Sequence, residues 1–256
     1  MYCRPLSGRC CIDGEIRQLL SLVTGKVERD DEFQRLVDSI VRHTTVPWEL
    51  VVADASEVPY QSSLSNIRVL HESPRLTHSK GYNRAFRQCT GKYVLWLNDD
   101  AEVCQDYDTE SIAFMDAHPK IGLGALHYSE DGGPFHVNSA WGCTYANFGI
   151  FPKVVGERVH YFDESVDMYG ADNSIALRIL LSDYGVADIP RAHIIHHSTK
   201  DKIRADNQAS RSRDNKALHE AYMPMKRYWL WSFRKHRVDS GVEPWAHGVR
   251  PEMVAR

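Results

Sequence analysis

The sequence predicts an α/β fold with a mainly parallel, twisted sheet flanked by helices. Strand and helix patterns alternate through residues 17–97 in the order strand, helix, strand, strand, helix, strand. The run 92–97 is nearly all apolar, as expected for a central strand buried on both faces. The chain has 256 residues, of which 43% are hydrophobic and 25% charged, so we expect one large domain, or one domain with a small extension.

The regular part begins with a predicted strand at 17–24, which ends at Gly25. Apolar residues from Phe33 to Val41 then recur at i, i+3, i+4, i+7 and i+8, which predicts a helix that follows Asp30 and Asp31. The other predicted elements are strands at 48–53, 67–70, 92–97 and 121–128, helices at 79–88, 107–117 and 172–181, and one or two short strands within 186–195.

Charge is distributed unevenly along the chain. Residues 200–256 carry 13 Lys and Arg against 7 Asp and Glu, a net +6, whereas the whole chain has a net charge of −3. The chain as a whole is therefore not a polyanion binder, although its C-terminal part is basic and aromatic. We predict a leader at 1–16, a main domain at 17–200 and a helical, basic and aromatic extension at 201–256.

The sequence predicts a cytoplasmic protein, and a peripheral position at a membrane stays open within that prediction. No apolar run reaches the length of a membrane span, and the first fifteen residues lack the apolar core of a secretory signal. The six cysteines show no CxxC pair and no regular framework, which indicates reduced thiols. They are Cys3, Cys10, Cys11, Cys89, Cys104 and Cys143.

Polar residues follow three predicted strands, where parallel sheets bind ligands. Thr24 ends the first strand, Asp54 follows the second, and Asn98, Asp99 and Asp100 follow the buried strand 92–97. Two adjacent carboxylates at the end of a buried strand repel each other and lose solvation, and a divalent cation is the usual compensation. The alternative is a solvated turn, since Asn and Asp are good turn formers.

Two further sites combine titratable residues with predicted element ends. His193, His196 and His197 lie at the end of the strand region 186–195, where a histidine completes an Asp-containing metal site or is satisfied by backbone carbonyls. Asp172 begins the helix 172–181. It is either a first-turn partner of the helix dipole or a general base that faces a cleft.

Taken in order, these pieces resemble the family-2 glycosyltransferases with the GT-A fold, especially rhamnosyltransferase-like members. The resemblance covers about residues 17–200 and is strongest from Gly81 to Val103. The residues that carry it are Thr24, Asp54-Ala-Ser56, Gly81-Tyr-Asn83, Gly91 to Val103, Phe162-Asp-Glu164, Gly170-Ala-Asp172 to Arg178, and Ala192 to His196.

The resemblance implies an inverting, metal-dependent glycosyltransferase that moves a sugar from a nucleotide-diphosphate donor to an acceptor hydroxyl. Asp100 matches the main ligand of Mn²⁺ or Mg²⁺, His196 matches the histidine that closes the metal site, and His197 is a close alternative. Asp172 matches the catalytic base. Ala171 stands where the family usually has Glu, which is a departure from its Glu-Asp motif.

The resemblance also implies a set of donor-binding residues. Asp54 would contact the base or ribose, Asn98 would lie near the ribose, and Asp99 would assist as the middle residue of the Asp-X-Asp run. Thr24, Asn83 and Trp141 complete the set that the resemblance implies. Trp141 has two readings, stacking on a sugar face or packing in the core.

The sequence leaves other functions open. The competing functions are a non-catalytic nucleotide-sugar-binding module, a nucleotidyltransferase of related architecture and, least favoured, a zinc hydrolase built on His196 and His197. The acceptor is expected to be a glycan, a lipid-linked hydroxyl or another hydroxyl compound. The C-terminal aromatic residues either pack on the domain or, with their flanking cations, contact a membrane surface or a nucleic acid.

Overall fold

The computed structural model describes residues 11–12, 15–16, 19–198, 202–241 and 245–246. The strands are β1 (Cys11–Ile12), β2 (Glu15–Ile16), β3 (Leu20–Lys26), β4 (Trp48–Asp54), β5 (Ile67–His71), β6 (Tyr93–Leu97), β7 (Ala101–Val103), β8 (Ile121–Glu130), β9 (Asn138–Ala140), β10 (Cys143–Tyr145), β11 (Gly149–Pro152), β12 (Gly185–His196) and β13 (Trp245–Ala246). The helices are α1 (Asp30–His43), α2 (His78–Phe86), α3 (Tyr107–Ala117), α4 (Lys153–Val159), α5 (Ala171–Leu181), α6 (Lys202–Gln208), α7 (Arg211–Tyr222) and α8 (Lys226–Lys235).

An eight-stranded sheet has the order β5-β4-β3-β6-β11-β8-β12-β7. β5, β4, β3 and β6 are parallel neighbours, and β8 and β12 form another parallel pair. β11 runs antiparallel between β6 and β8, and β7 is an antiparallel edge strand beside β12. The predicted α/β fold with a mainly parallel sheet is therefore confirmed.

The sheet has a hydrophobic core on each face, because alternate side chains of a strand point to opposite sides. On β6, Val94 and Trp96 belong to one cluster, whereas Leu95 and Leu97 belong to the other. Helices α2 and α5 contribute to the first cluster and helix α1 to the second. Burial on both faces explains why β6 lacks the polar alternation of a half-exposed strand.

The structure differs from the predicted elements mainly after residue 100. The first central strand starts at Leu20 rather than 17, and β7 was not predicted. The glycine- and aromatic-rich stretch 140–150 contributes β10 and the start of β11. Residues 185–196 form one strand whose register with β8 shifts between Ile189 and His193, around Pro190, which cannot donate to the ladder.

The C-terminal helices pack on the domain through a few buried side chains. Leu218 of α7 and Trp229 of α8 join the same core cluster as Ile175 of α5. Trp229 Nε1 donates to the carbonyl of Tyr222 at 3.1 Å. The helical extension is thus confirmed, while the boundary at residue 200 stays a prediction and the leader at 1–16 lies largely outside the described residues.

Two smaller findings bear on the predictions made from composition. Among the described residues, no helix has both the length and the apolar character needed to cross a bilayer. Cys89, Cys104 and Cys143 are free thiols. The side chains of Cys3, Cys10 and Cys11 are outside what the structure describes.

Candidate active site

A cavity of about 300 Å³ opens at the carboxyl ends of β3, β4 and β6. This is the edge at which a parallel sheet binds ligands. Five of the residues singled out from the sequence line it, namely Asn98, Asp99, Asp100, Asp172 and His196. The fold therefore brings the acidic run after β6, the start of α5 and the end of β12 to a single cavity.

The acidic pair Asp99–Asp100 is held against a buried cation of the protein itself. Arg29 Nη1 lies 3.1 Å from Asp99 Oδ1 and 3.5 Å from Asp100 Oδ2, and the arginine side chain is only 12% exposed. Burial, together with the neighbouring charge of Asp100, raises the pKa of Asp99 to about 7. The two carboxylates thus form a site that requires positive charge nearby.

His196 reaches the same pair from the opposite part of the sheet. In the antiparallel pair β12–β7, His196 lies opposite Ala101, which places its imidazole beside the loop after β6. His196 Nε2 lies 3.1 Å from Asp100 Oδ1. Burial opposes the charged form of Asp100, but the contacts with His196 and Arg29 hold the pKa of that carboxyl below its usual value.

The residues present fit a divalent cation whose ligands come partly from the protein and partly from a substrate. His196 Nδ1 is buried and has no hydrogen-bond partner among the described residues. Across those residues, no three His, Cys, Asp or Glu side chains are grouped as a self-contained metal site. Mg²⁺ and similar ions are commonly bound through one or two carboxylates together with substrate phosphates, so Asp100 and His196 match a shared site rather than a closed cage.

Asp172 lies in the first turn of α5 and lines the cavity half-buried. The helix begins after Gly170, whose φ of 92° is a conformation that favours glycine. The Asp172 carboxylate accepts a hydrogen bond from the N–H of Asn173 at 2.8 Å. Burial is the larger effect and raises the pKa of Asp172 to about 6, a value suited to a general base near neutral pH.

Asp54 and Thr24 lie beneath the cavity and do not line it. Asp54 is fully buried, and its two carboxylate oxygens accept the N–H groups of Ser56 and Tyr60 at 2.9 and 2.7 Å. Thr24 is also fully buried and donates to the carbonyl of Gly25. Asp54 shapes the loop after β4, and its backbone neighbour Ala55 reaches the cavity instead.

Asn83 connects α2 to the segment that leads into α5. It donates to the Phe162 carbonyl and to Glu164 Oε1, both at 2.9 Å, and accepts the N–H of Phe162 at 3.0 Å. With its amide fully used, Asn83 does not line the cavity and supports its wall.

His197 and Trp141 also lie away from the cavity lining. His197 Nε2 is 3.0 Å from Glu102 Oε2, and its N–H donates to the carbonyl of Asp100. Trp141 is 37% exposed and its ring is 6.4 Å from that of Trp229. His196 rather than His197 is thus the histidine placed at the acidic pair.

Two important residues escaped the sequence analysis. Arg29 follows Glu28, and both adopt left-handed backbone conformations with φ of 43° and 55°, which turn the chain between β3 and α1. Asp214 of α7 is buried and accepts the N–H groups of Met168 and Tyr169, both at 3.0 Å. Since those two residues line the cavity, the C-terminal helices support its wall. No local sequence signal marks either contact.

Comparison with known proteins gives one family match. Residues 27–166 match the sequence model described as "Glycosyl transferase family 2". No curated protein matches the chain.

Solved glycosyltransferase structures share the fold at low sequence identity. A mannosyltransferase from Pyrobaculum calidifontis in complex with GDP-Man and Mn²⁺ is 17% identical with a TM-score of 0.57, covering 74% of this chain and 59% of its own. TarS 1-349 from S. aureus with UDP-GlcNAc is 15% identical with a TM-score of 0.58, covering 72% and 60%. GalNAc-T7 with UDP, GalNAc and Mn²⁺ is 12% identical with a TM-score of 0.60, covering 72% and 44%.

These likenesses confirm the GT-A-type architecture. The chain spans less than two thirds of the length of each of the three structures. The rhamnosyltransferase-like subgroup, the metal and the donor-binding roles stay predictions.

Proposed function

Because the chain belongs to glycosyl transferase family 2, we propose that it transfers a sugar from a nucleotide-diphosphate donor to an acceptor hydroxyl with inversion at the anomeric carbon. The observation that carries the proposal is one cavity lined by both the Asp99–Asp100–His196 group and Asp172. The acidic end of the cavity suits a diphosphate once a divalent cation is bound there, and a carboxylate with a pKa of about 6 suits a hydroxyl that must lose its proton.

Asp100 and His196 would hold the divalent ion, Mn²⁺ or Mg²⁺. When bound there, the ion supplies positive charge that stabilises the leaving nucleoside diphosphate. Arg29 lies at the same carboxylates and adds a fixed positive charge to this end of the cavity. Structures of glycosyltransferases with the same fold contain Mn²⁺, which supports a divalent ion here.

Asp172 performs the proton transfer in the proposed reaction. The acceptor oxygen attacks C1 of the donor sugar while the bond between C1 and the diphosphate oxygen breaks. The acceptor proton passes to an Asp172 carboxylate oxygen, and the nucleoside diphosphate leaves with the bonding electrons. A single displacement of this kind inverts the configuration at C1. At neutral pH a carboxyl with a pKa of about 6 is mostly ionised and ready to accept that proton.

The donor nucleotide and the acceptor are to be identified by experiment. Solved structures of this fold hold UDP-GlcNAc or GDP-Man, which places uridine and guanosine diphosphate sugars first among the donors to be tried. The acceptor is proposed to be a glycan or a lipid-linked hydroxyl compound.

A thermal-shift screen of UDP, GDP, dTDP and CDP, each with and without Mn²⁺, tests the donor site. Ligands that bind only the folded state raise the melting temperature, so we expect one nucleotide to give a Mn²⁺-dependent increase. Asp100→Ala should abolish the Mn²⁺-dependent part, whereas Asp116→Ala, at an exposed carboxylate paired with Lys92, should not. Absence of any nucleotide-induced shift would overturn the donor site. A shift without nucleotide release from any sugar donor would favour a non-catalytic binding module.

A further inference from the structure

Helix α8 presents an aromatic and basic face to solvent that the proposed reaction does not use. Trp231 is 56% exposed and Tyr228, three residues earlier, is 65% exposed. Arg227 lies one turn before Trp231, and Arg234 and Lys235 lie one turn after it. Because residues three and four apart share a helix face, the tryptophan is surrounded by a tyrosine and three cations. These five residues form the α8 face.

The other side of α8 is fixed to the domain, which sets the orientation of the α8 face. Trp229 is completely buried, and Ser232 Oγ donates to the carbonyl of Tyr184 at 2.9 Å. The aromatic residues of the α8 face are therefore not part of the hydrophobic core. They are held outward by a helix whose inner side is already packed.

The charges on the α8 face are mostly uncompensated. Lys235 pairs with Asp183 at 2.9 Å and lies over the Trp231 ring at 4.5 Å. Within the part of the chain that the structure describes, neither Arg227 nor Arg234 has an ion-pair partner. The stretch 226–237 contains five Lys and Arg and no Asp or Glu, in a chain whose overall net charge is −3.

We propose that the α8 face binds the surface of an anionic lipid bilayer. Tryptophan and tyrosine combine an apolar ring with a polar group and concentrate at the boundary between water and lipid. Cations around them interact with anionic headgroups, as in helices that lie in the plane of the interface. A single-stranded nucleic acid would instead use a basic groove with stacking rings, and the α8 face is one side of one helix.

This attachment is peripheral and depends on charge. Each basic residue near an anionic surface strengthens partitioning by about fivefold, so loss of several cations should release the protein. The donor cavity is lined by other residues, and none of the α8 face is among them. Membrane binding and donor binding are therefore separable by mutation.

Co-sedimentation with vesicles tests the proposal. The full chain is mixed with vesicles of phosphatidylcholine alone or of equal parts phosphatidylcholine and phosphatidylglycerol. We expect binding only to the anionic vesicles, weakened by added salt, and weakened more than about tenfold in Arg227→Glu/Arg234→Glu. The control Arg42→Glu/Lys120→Glu makes the same change in net charge at exposed residues elsewhere and should bind like the wild type.

A second measurement locates the contact at Trp231. Brominated lipids quench tryptophan fluorescence at short range, so they should quench the wild type more than Trp231→Phe. Equal nucleotide-induced thermal shifts in the wild type and the Arg227→Glu/Arg234→Glu variant verify that folding and donor binding are intact. Equal binding to both vesicle types, equal binding of the two charge-reversed variants, or binding to single-stranded RNA in preference to vesicles would overturn the proposal.

Discussion

Replacement of Arg29 with methionine removes the guanidinium that occupies the acidic pair while keeping a long, flexible side chain. Arg29 Nη1 is 3.1 Å from Asp99 Oδ1 and 3.5 Å from Asp100 Oδ2, and all three side chains are largely buried. Two opposite unit charges about 4 Å apart attract by about 1 kcal/mol in water and about 4 kcal/mol at the effective dielectric of a protein surface. Because the Arg29 side chain is only 12% exposed, solvent screens its attraction to the carboxylates less than it would in water.

A divalent ion that takes the same carboxylates competes with this attraction. Since about 1.4 kcal/mol corresponds to a tenfold change in affinity, Arg29→Met should bind Mn²⁺ at least about tenfold more tightly than the wild type. The matched variant Arg29→Lys keeps a cation and should stay close to the wild type. The expected gain comes from lost competition, so it does not require any new ligand.

The assay is titration of nucleotide-free protein with Mn²⁺, with free Mn²⁺ followed by electron paramagnetic resonance. It is run well above pH 7, because Asp99, with a pKa of about 7, must be ionised in each variant. Thermal unfolding of each variant verifies the fold. If Arg29→Met binds Mn²⁺ no more tightly than the wild type, or if Arg29→Lys gains as much, the competition between Arg29 and the metal is refuted.

Three further predictions concern Asp172 and the wall of the cavity. Asp172→Asn should lower kcat by about 10²–10⁴-fold in a nucleotide-release assay and keep the nucleotide-induced thermal shift, and unchanged turnover would reject Asp172 as the base. Because burial raises the pKa of Asp172 to about 6 and the base must be ionised, kcat/KM of the wild type should rise through pH 6 and level off above it. A kcat/KM that stays constant below pH 6 would contradict that role. Asp214→Ala leaves the N–H groups of Met168 and Tyr169 without their acceptor and should lower the free energy of unfolding by about 1–3 kcal/mol in urea titrations. The control Asp206→Ala, at an exposed carboxylate paired with Lys202, should change it little, and equal losses would contradict the buried role.

Much of the architecture could be predicted because it depends on patterns among residues that are close in sequence. The apolar spacing from Phe33 to Ile40 specifies the buried side of α1, whereas Val41, which the same spacing includes, is 51% exposed. The apolar run before Asn98 specifies a strand buried on both faces. Strand order is different, because pairing depends on contacts between distant segments. Nothing local indicated that Gly149–Pro152 inserts antiparallel between β6 and β8.

The candidate site divides in the same way. Asp99, Asp100, Asp172 and His196 were predicted from their positions at the ends of strands or the start of a helix, and the structure brings them to one cavity. Asp54 has the same kind of position, yet its carboxylate is used by backbone N–H groups of its own loop. Position at a strand end thus predicts proximity to the cavity, whereas the direction of the side chain depends on the loop conformation.

By itself, the sequence determined the class of fold, the carboxylates at the strand end and the carboxylate at the helix start, because hydrophobic periodicity and residue type act over a few neighbouring positions. Only the tertiary structure decided which charges meet. Arg29 reaches Asp99 across 70 residues, and Asp214 reaches Met168 across 46. Such contacts form only when the packed core fixes the distance between segments, so their energy depends on the whole fold and leaves no local pattern along the chain.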